Sequence, residues 1–153
     1  MAIRPSISTK QRTTGSFYCA DDDTTFASGA TVIRQYRPVK DSSSGDNYVT
    51  PLVAGDSAGV VAVGIAQDDA ILGGSVLVTL FGVSLVKAYG AVTRGAALES
   101  VGTGTGDSYG FAVAVVSGAT GANHQTLGTA LEDAADGALF LALICPQITM
   151  TAG

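Results

Sequence analysis

The 153-residue sequence has no tryptophan, one histidine (His124), two cysteines (Cys19 and Cys145), and only 14% Asp, Glu, Lys and Arg. Each shortage removes a class of function. A lone histidine must find a nucleophile and an orienting acid to act as a general base, and GANHQT around His124 supplies neither. Two cysteines without metal-ligand spacing exclude a thiolate metal centre and a disulfide framework. Two reduced thiols are expected instead, because MAIRPSISTKQRTTGS offers no apolar run for a secretion signal. Bases are also scarce, eight against thirteen acids for a net charge of −5. An acidic body repels phosphate backbones, so nucleic acid is not expected as a partner. The uncharged stretch Ala70 to Val86 is 17 residues long and broken by Gly73, Gly74 and Gly82. It is too short and too interrupted for a spanning helix, and no membrane partner is expected.

What remains is the profile of a small all-β domain. Hydrophobic residues make up 46% of a chain long enough to bury one core, and twenty glycines imply many tight connections. The low charge density suggests that part of the surface meets another protein. Arg4, Lys10 and Arg12 fall in the first twenty residues, which hold no acid. Residues 1–26 therefore read as a polar, basic N-terminal arm that orders on a partner, followed by a single β domain over 27–153. A basic arm on an acidic body suits docking on an acidic protein surface.

The chain tells one short story twice, in 29–80 and in 95–144. Gly64 to Leu80 (GIAQDDAILGGSVLVTL) aligns without gaps to Gly128 to Ile144 (GTALEDAADGALFLALI) at an offset of 64. Six of the seventeen positions are identical: Gly64/Gly128, Ala66/Ala130, Asp69/Asp133, Ala70/Ala134, Gly73/Gly137 and Leu77/Leu141. Upstream, Gly29-Ala30 recurs as Gly95-Ala96, and GDNY at Gly45 recurs as GDSY at Gly106. The preserved order of landmarks implies two copies of one β unit. Each unit has one apolar face and cannot cover it alone, so the pair is expected to form a compact β-barrel or β-sandwich.

Within the units, β-branched and apolar runs bounded by Gly, Asp, Ser and Pro read as strands. These are Thr31 to Arg37, ended by Pro38; Tyr48 to Ala54; Gly59 to Ala66; Ser75 to Leu80; and Val83 to Ala88, set apart from the preceding strand by Gly82. Lys40 to Asn47 is a hairpin loop. In the second unit they are Ala96 to Val101, Tyr109 to Val116, His124 to Leu131 and Ala138 to Cys145. Leu127, Ala130, Leu131 and Ala134 also fit helical spacing. The first copy has β-branched Val63 and Ile65 in the same place, which favours strand then turn.

Chemistry is hard to find. Asp21-Asp22-Asp23 lacks the alternation, central glycine and distal glutamate of an EF-hand loop. Asp68-Asp69 and Glu132-Asp133 repeat at equivalent turns, which turn chemistry explains better than paired catalytic carboxylates. The Gly-rich VGTGTGDSYG (101–110) lacks the Lys and Ser/Thr of a phosphate loop and reads as a hairpin tip. No enzyme, cofactor or metal is expected. A small-ligand barrel would need a cavity lined by aromatics, and five Phe with five Tyr give it thin support.

The landmarks GATVIR, VGIAQDDAILGGSVLVTLFG, VKAYGAVTRGAALESV and LGTALEDAADGALFLALICP together resemble the small decoration, or cement, proteins of tailed-bacteriophage capsids, over about residues 27–146. That resemblance implies a β domain on the exterior of a mature capsid, made in the host cytoplasm, self-associating as a homotrimer and clamping neighbouring major capsid subunits. Arg4, Lys10 and Arg12 would then be arm contacts to the capsid. Other tail, baseplate or adhesion β modules share the composition and stay open at this point.

Overall fold

The computed structural model describes residues 12–20, 29, 31–51, 62–101, 111–114 and 124–149. These residues form strands and turns and no helix: β1 (Arg12–Cys19), β2 (Thr31–Ile33), β3 (Pro38–Asp41), β4 (Tyr48–Pro51), β5 (Ala62–Ala66), β6 (Ala70–Ile71), β7 (Ser75–Lys87), β8 (Ala97–Val101), β9 (Phe111–Ala114), β10 (His124–Ala130) and β11 (Leu139–Thr149). The main sheet runs β1-β4-β3-β5-β7-β11-β10-β8-β9. Because β1 pairs with β7 as well as β4, the strands β1, β4, β3, β5 and β7 close into a five-stranded barrel. Closure removes the free edges of these five strands, while the sheet continues through β11, β10 and β8 to end at β9. The fold is all-β, with a closed barrel extended by further strands.

The pairing register displays the two units. Ile65 faces Thr79 and Ala66 faces Val78 across β5 and β7. Sixty-four residues on, Thr129 faces Leu143 and Ala130 faces Ala142 across β10 and β11. Val39 faces Gly64 as Leu98 faces Gly128. The Gln67 N–H donates to the Leu77 carbonyl at 2.7 Å, and the Leu131 N–H to the Leu141 carbonyl at 2.8 Å. β10 ends at Ala130 in a turn, as the β-branched first copy requires.

The copies begin earlier than the sequence landmarks place them. Phe17 faces Val76 and Tyr18 faces Ser75 across β1 and β7, and Val86 faces Phe140 and Lys87 faces Leu139 across β7 and β11 in the same pattern. Cys19 exchanges backbone hydrogen bonds with Gly74 (2.8 Å) and Gly73 (2.8 Å), as Ala88 does with Ala138 (2.9 Å) and Gly137 (3.0 Å). So β1 opens the first unit and the second half of β7 opens the second. Residues 12–19, expected within the arm, are instead barrel wall. Their period-two pattern is muted because the outward positions Thr14, Ser16 and Tyr18 alternate with Gly15, Phe17 and Cys19, and only the last two carry apolar bulk. Residues 1–11 of the expected arm lie outside the described residues.

Two further expectations shift. Ser75 to Lys87 is one continuous strand, with Gly82 (φ +108°) at its midpoint facing Arg12 on one side and Ile144 on the other. Pro38 starts β3 rather than ending a strand begun at Thr31, since a first strand residue needs no N–H. The turn before it contains Tyr36 in the left-handed region (φ +64°), where the second unit has Gly95 (φ +83°). Tyr36 and Gly95 donate their N–H to Ala66 and Ala130 at 2.8 Å each. The structural partner of Gly95 is thus Tyr36 and not Gly29, the landmark that the sequence alone suggests.

Each unit has its own core. Cys19, Ile33, Val39, Ala66, Val76 and Val78 are buried in the first, at the positions that Ala88, Val92, Leu98, Ala130, Phe140 and Ala142 hold in the second. The units meet where Ala62 and Ile65, on the outer wall of the first barrel, join the second core. Gln67 crosses the same seam, its Nε2 donating to Ser84 Oγ at 3.0 Å and to the Ile65 carbonyl at 3.0 Å.

Close backbone approach fixes one glycine in each copy. A Cβ on Gly64 would stand 2.2 Å from the Thr79 carbonyl oxygen, and one on Gly128 1.9 Å from that of Leu143. Gly64→Ala and Gly128→Ala should each cost at least about 2 kcal/mol, read from urea unfolding, because backbone atoms must give way. Thr79 Oγ1 is fully buried at the seam with no hydrogen-bond partner. Thr79→Val keeps the shape and removes the orphaned hydroxyl, so it should stabilise the chain by up to about 1 kcal/mol in the same assay.

Candidate docking face

The repeated acidic residues are turn braces. Asp69 Oδ1 accepts the Gln35 N–H at 2.7 Å, and Asp133 Oδ1 accepts the Arg94 N–H at 2.8 Å. Side-chain nitrogens follow suit, Gln35 Nε2 reaching the Gln67 carbonyl at 2.7 Å and Arg94 Nε the Leu131 carbonyl at 2.9 Å. Glu132 and Asp136 accept the N–H groups of Leu141 and Gly90, each at 2.8 Å. These carboxylates are held by backbone donors of the turns they span, an arrangement that braces the loops.

Among the described residues no three His, Cys, Asp or Glu side chains gather as a metal site. Cys19 is buried and Cys145 half-buried, and neither is in a disulfide. His124 opens β10 with its backbone opposite Thr149. Arg12 opens β1 opposite Gly82, while Arg4, Lys10, Asp21-Asp22-Asp23 and the loop 102–110 lie outside the described residues.

What the structure does assemble is an apolar face at one end of the first barrel. The turn after β6 presents Ile71 (51% exposed) and Leu72 (59%). Backbone hydrogen bonds tie this turn to Cys19, next to Tyr18, which is 52% exposed. The Tyr18 ring packs at a tilt of 37° against Tyr48, with a centroid distance of 5.5 Å, and the Tyr18 N–H donates to the Asn47 carbonyl at 2.9 Å. Large apolar side chains exposed together mark contact surfaces.

The second unit is an internal control for this face. Where the first has Tyr18, Ile71 and Leu72, the second has Lys87, Ala135 and Asp136 at positions with matching backbone bonds. Gly73 and Gly137 follow with φ of +74° and +72°, so the turn itself is the same. The fold therefore does not require bulky apolar groups here. The cluster of three belongs to the first copy, while the second unit exposes Tyr89 beside its own turn. Sequence reasoning passed over this although the aligned segments AILGG and AADGA carry it: the comparison was read for its identities, and the signal lies in a difference.

No protein-family model matches the sequence, and no curated protein matches it. Among solved structures, the fold is similar to the crystal structure of the N base of head fiber gp8.5 in bacteriophage phi29. The TM-score is 0.51 at 18% identity, with 91% of this chain and 98% of that chain covered. The likeness runs the length of both chains and is one of fold.

Removing a brace from either copy tests the reading of the acids. Asp69→Ala and Asp133→Ala should each lower stability by about 0.5–1 kcal/mol in urea unfolding, since each exchanges an exposed turn hydrogen bond for one to water.

Proposed function

We propose that the protein is a structural virion component that binds the outside of a mature tailed-phage capsid and stabilises it by bridging neighbouring major capsid subunits. The observation that carries this reading is the apolar face of Tyr18, Ile71 and Leu72, present in one copy of the unit and replaced by Lys87, Ala135 and Asp136 in the other. The fold it shares with a phage head-fiber base supports a role at the phage head.

The physics of such a role fits the face. Three half-exposed side chains offer an area well below the roughly 800 Å² per partner of a standard stable interface. One protomer would hold weakly. A homotrimer presenting three such faces to a symmetric shell gains by effective concentration, and the N-terminal bases Arg4, Lys10 and Arg12 would add reach to an acidic subunit surface. Truncated Ile71 and Leu72 would remove the anchors that fill apolar pockets on the shell.

Purified protein should bind expanded capsids lacking it, saturating at a multiple of three copies per repeating surface site, counted by gel densitometry and particle mass. The double variant Ile71→Ala/Leu72→Asp copies the second unit's own turn and should keep its thermal melt while losing at least about tenfold in affinity, as expected for paired hot-spot residues. Deleting residues 1–11 spares β1 and should weaken attachment less. Wild-type protein that leaves capsids bare at high micromolar concentration would remove this function.

A further inference from the structure

The seam inside the chain shows how one unit covers another, and it leaves two matching surfaces unused. At the seam, Ile65, Gln67 and Thr79 on the first unit's outer wall are all buried beneath the second unit. The register places Thr129, Leu131 and Leu143 at the same positions on the second unit's wall. There Thr129 is exposed, Leu131 half-buried and Leu143 39% exposed. An exposed wall should be the more polar of the two. It is the less polar, with two leucines where the covered wall has Gln67 and Thr79.

The complementary surface is also left over. The second core receives Ile65, and its Val86 and Ile144 are fully buried. The equivalent residues of the first unit, Phe17 and Leu80, are only partly buried against their core. Gly15 stands where the second unit has Ser84, the residue that receives Gln67. Among the described residues, one unit therefore carries an uncovered wall, and the other an end closed only by its own Phe17 and Leu80, whose side chains stand over Gly15.

We propose that these two surfaces bind each other between copies of the chain: the wall of Thr129, Leu131 and Leu143 in one protomer docks on the Phe17 and Leu80 end of the next, repeating the internal seam. The occupant is a second copy because the contact continues an interface the chain already makes with itself. The arrangement is head-to-tail, which closes into a ring when the rotation permits. It deepens the trimeric reading above by naming the surfaces of self-association, and it leaves the capsid-facing Ile71 and Leu72 turn outside the contact.

The test is the mass of the full chain in solution by sedimentation velocity and light scattering, up to roughly 100 µM because self-association depends on protomer concentration. Wild type should show a concentration-dependent oligomer. Leu143→Arg, a change at an exposed site, should abolish it with the thermal melt unchanged. Leu80→Lys, whose methylene stem keeps the packing of the leucine, should also be monomeric. An equimolar mixture of the two variants retains one intact wall and one intact end, and should form dimers. A wild-type monomer across the range, or an oligomer undiminished by Leu143→Arg, would overturn the proposal; so would a mixture of folded variants that stays monomeric. If Leu80→Lys fails to fold, Leu143→Arg decides alone. None of these readouts uses a capsid, so failure of capsid binding and failure of self-association are seen separately.

Discussion

Strand β7 is the constraint on which the rest depends. Its first half is the last wall strand of the first unit and its second half the opening strand of the second, so one thirteen-residue strand must satisfy β1, β5 and β11 together. A register slip of one residue would turn Val76, Val78 and Val86 out of their cores at once. Gly82, where the partner on one edge changes from β5 to β11, tolerates the positive φ of the changeover. The seam follows from the same geometry, since a continuous β7 brings the outer face of β5 against the second core and buries Ile65 there.

Two copies of one unit in a single chain separate what the fold needs from what it carries for other reasons. Positions that agree across the copies are structural: Asp69 and Asp133 bracing the preceding turn, Gly64 and Gly128 under a carbonyl, Gly73 and Gly137 at positive φ. Positions that disagree in one direction are where the copies have separate duties. Tyr18, Ile71 and Leu72 against Lys87, Ala135 and Asp136 is one such set; Ile65, Gln67 and Thr79 against Thr129, Leu131 and Leu143 is the other. The first set is exposed in the first unit, and the second lies where one unit covers the other. Tyr36 belongs with neither, because its left-handed backbone costs about 1 kcal/mol or more relative to the Gly95 solution, and nothing described explains the ring.

Much of the strand pattern was legible because apolar and β-branched runs between turn residues leave few alternatives. β5, β8, β10 and β11 fall close to where those runs are, and the turn after β10 replaces a helical reading that its first copy disfavours. β1 was not legible: RTTGSFYC reads as polar because half its residues face out and a glycine holds an inward place. The Gly29-Ala30 match misled for a related reason, since a left-handed residue is needed at 36 and 95, yet tyrosine occupies the first of these. Neither apolar surface was visible without knowing which residues the units cover for each other.

By itself the sequence determined an all-β chain with two related units, an acidic body and little grouped chemistry, because composition and period-two patterning act locally along the chain. Only the tertiary structure decided that residues 12–19 belong to the barrel, that one strand serves both units, and that Ile65 is hidden while Leu143 is not. The physical reason is that burial belongs to pairs of surfaces. Equivalent residues in two similar units have the same backbone and the same local propensities, and what covers them is settled only when strands distant in sequence meet.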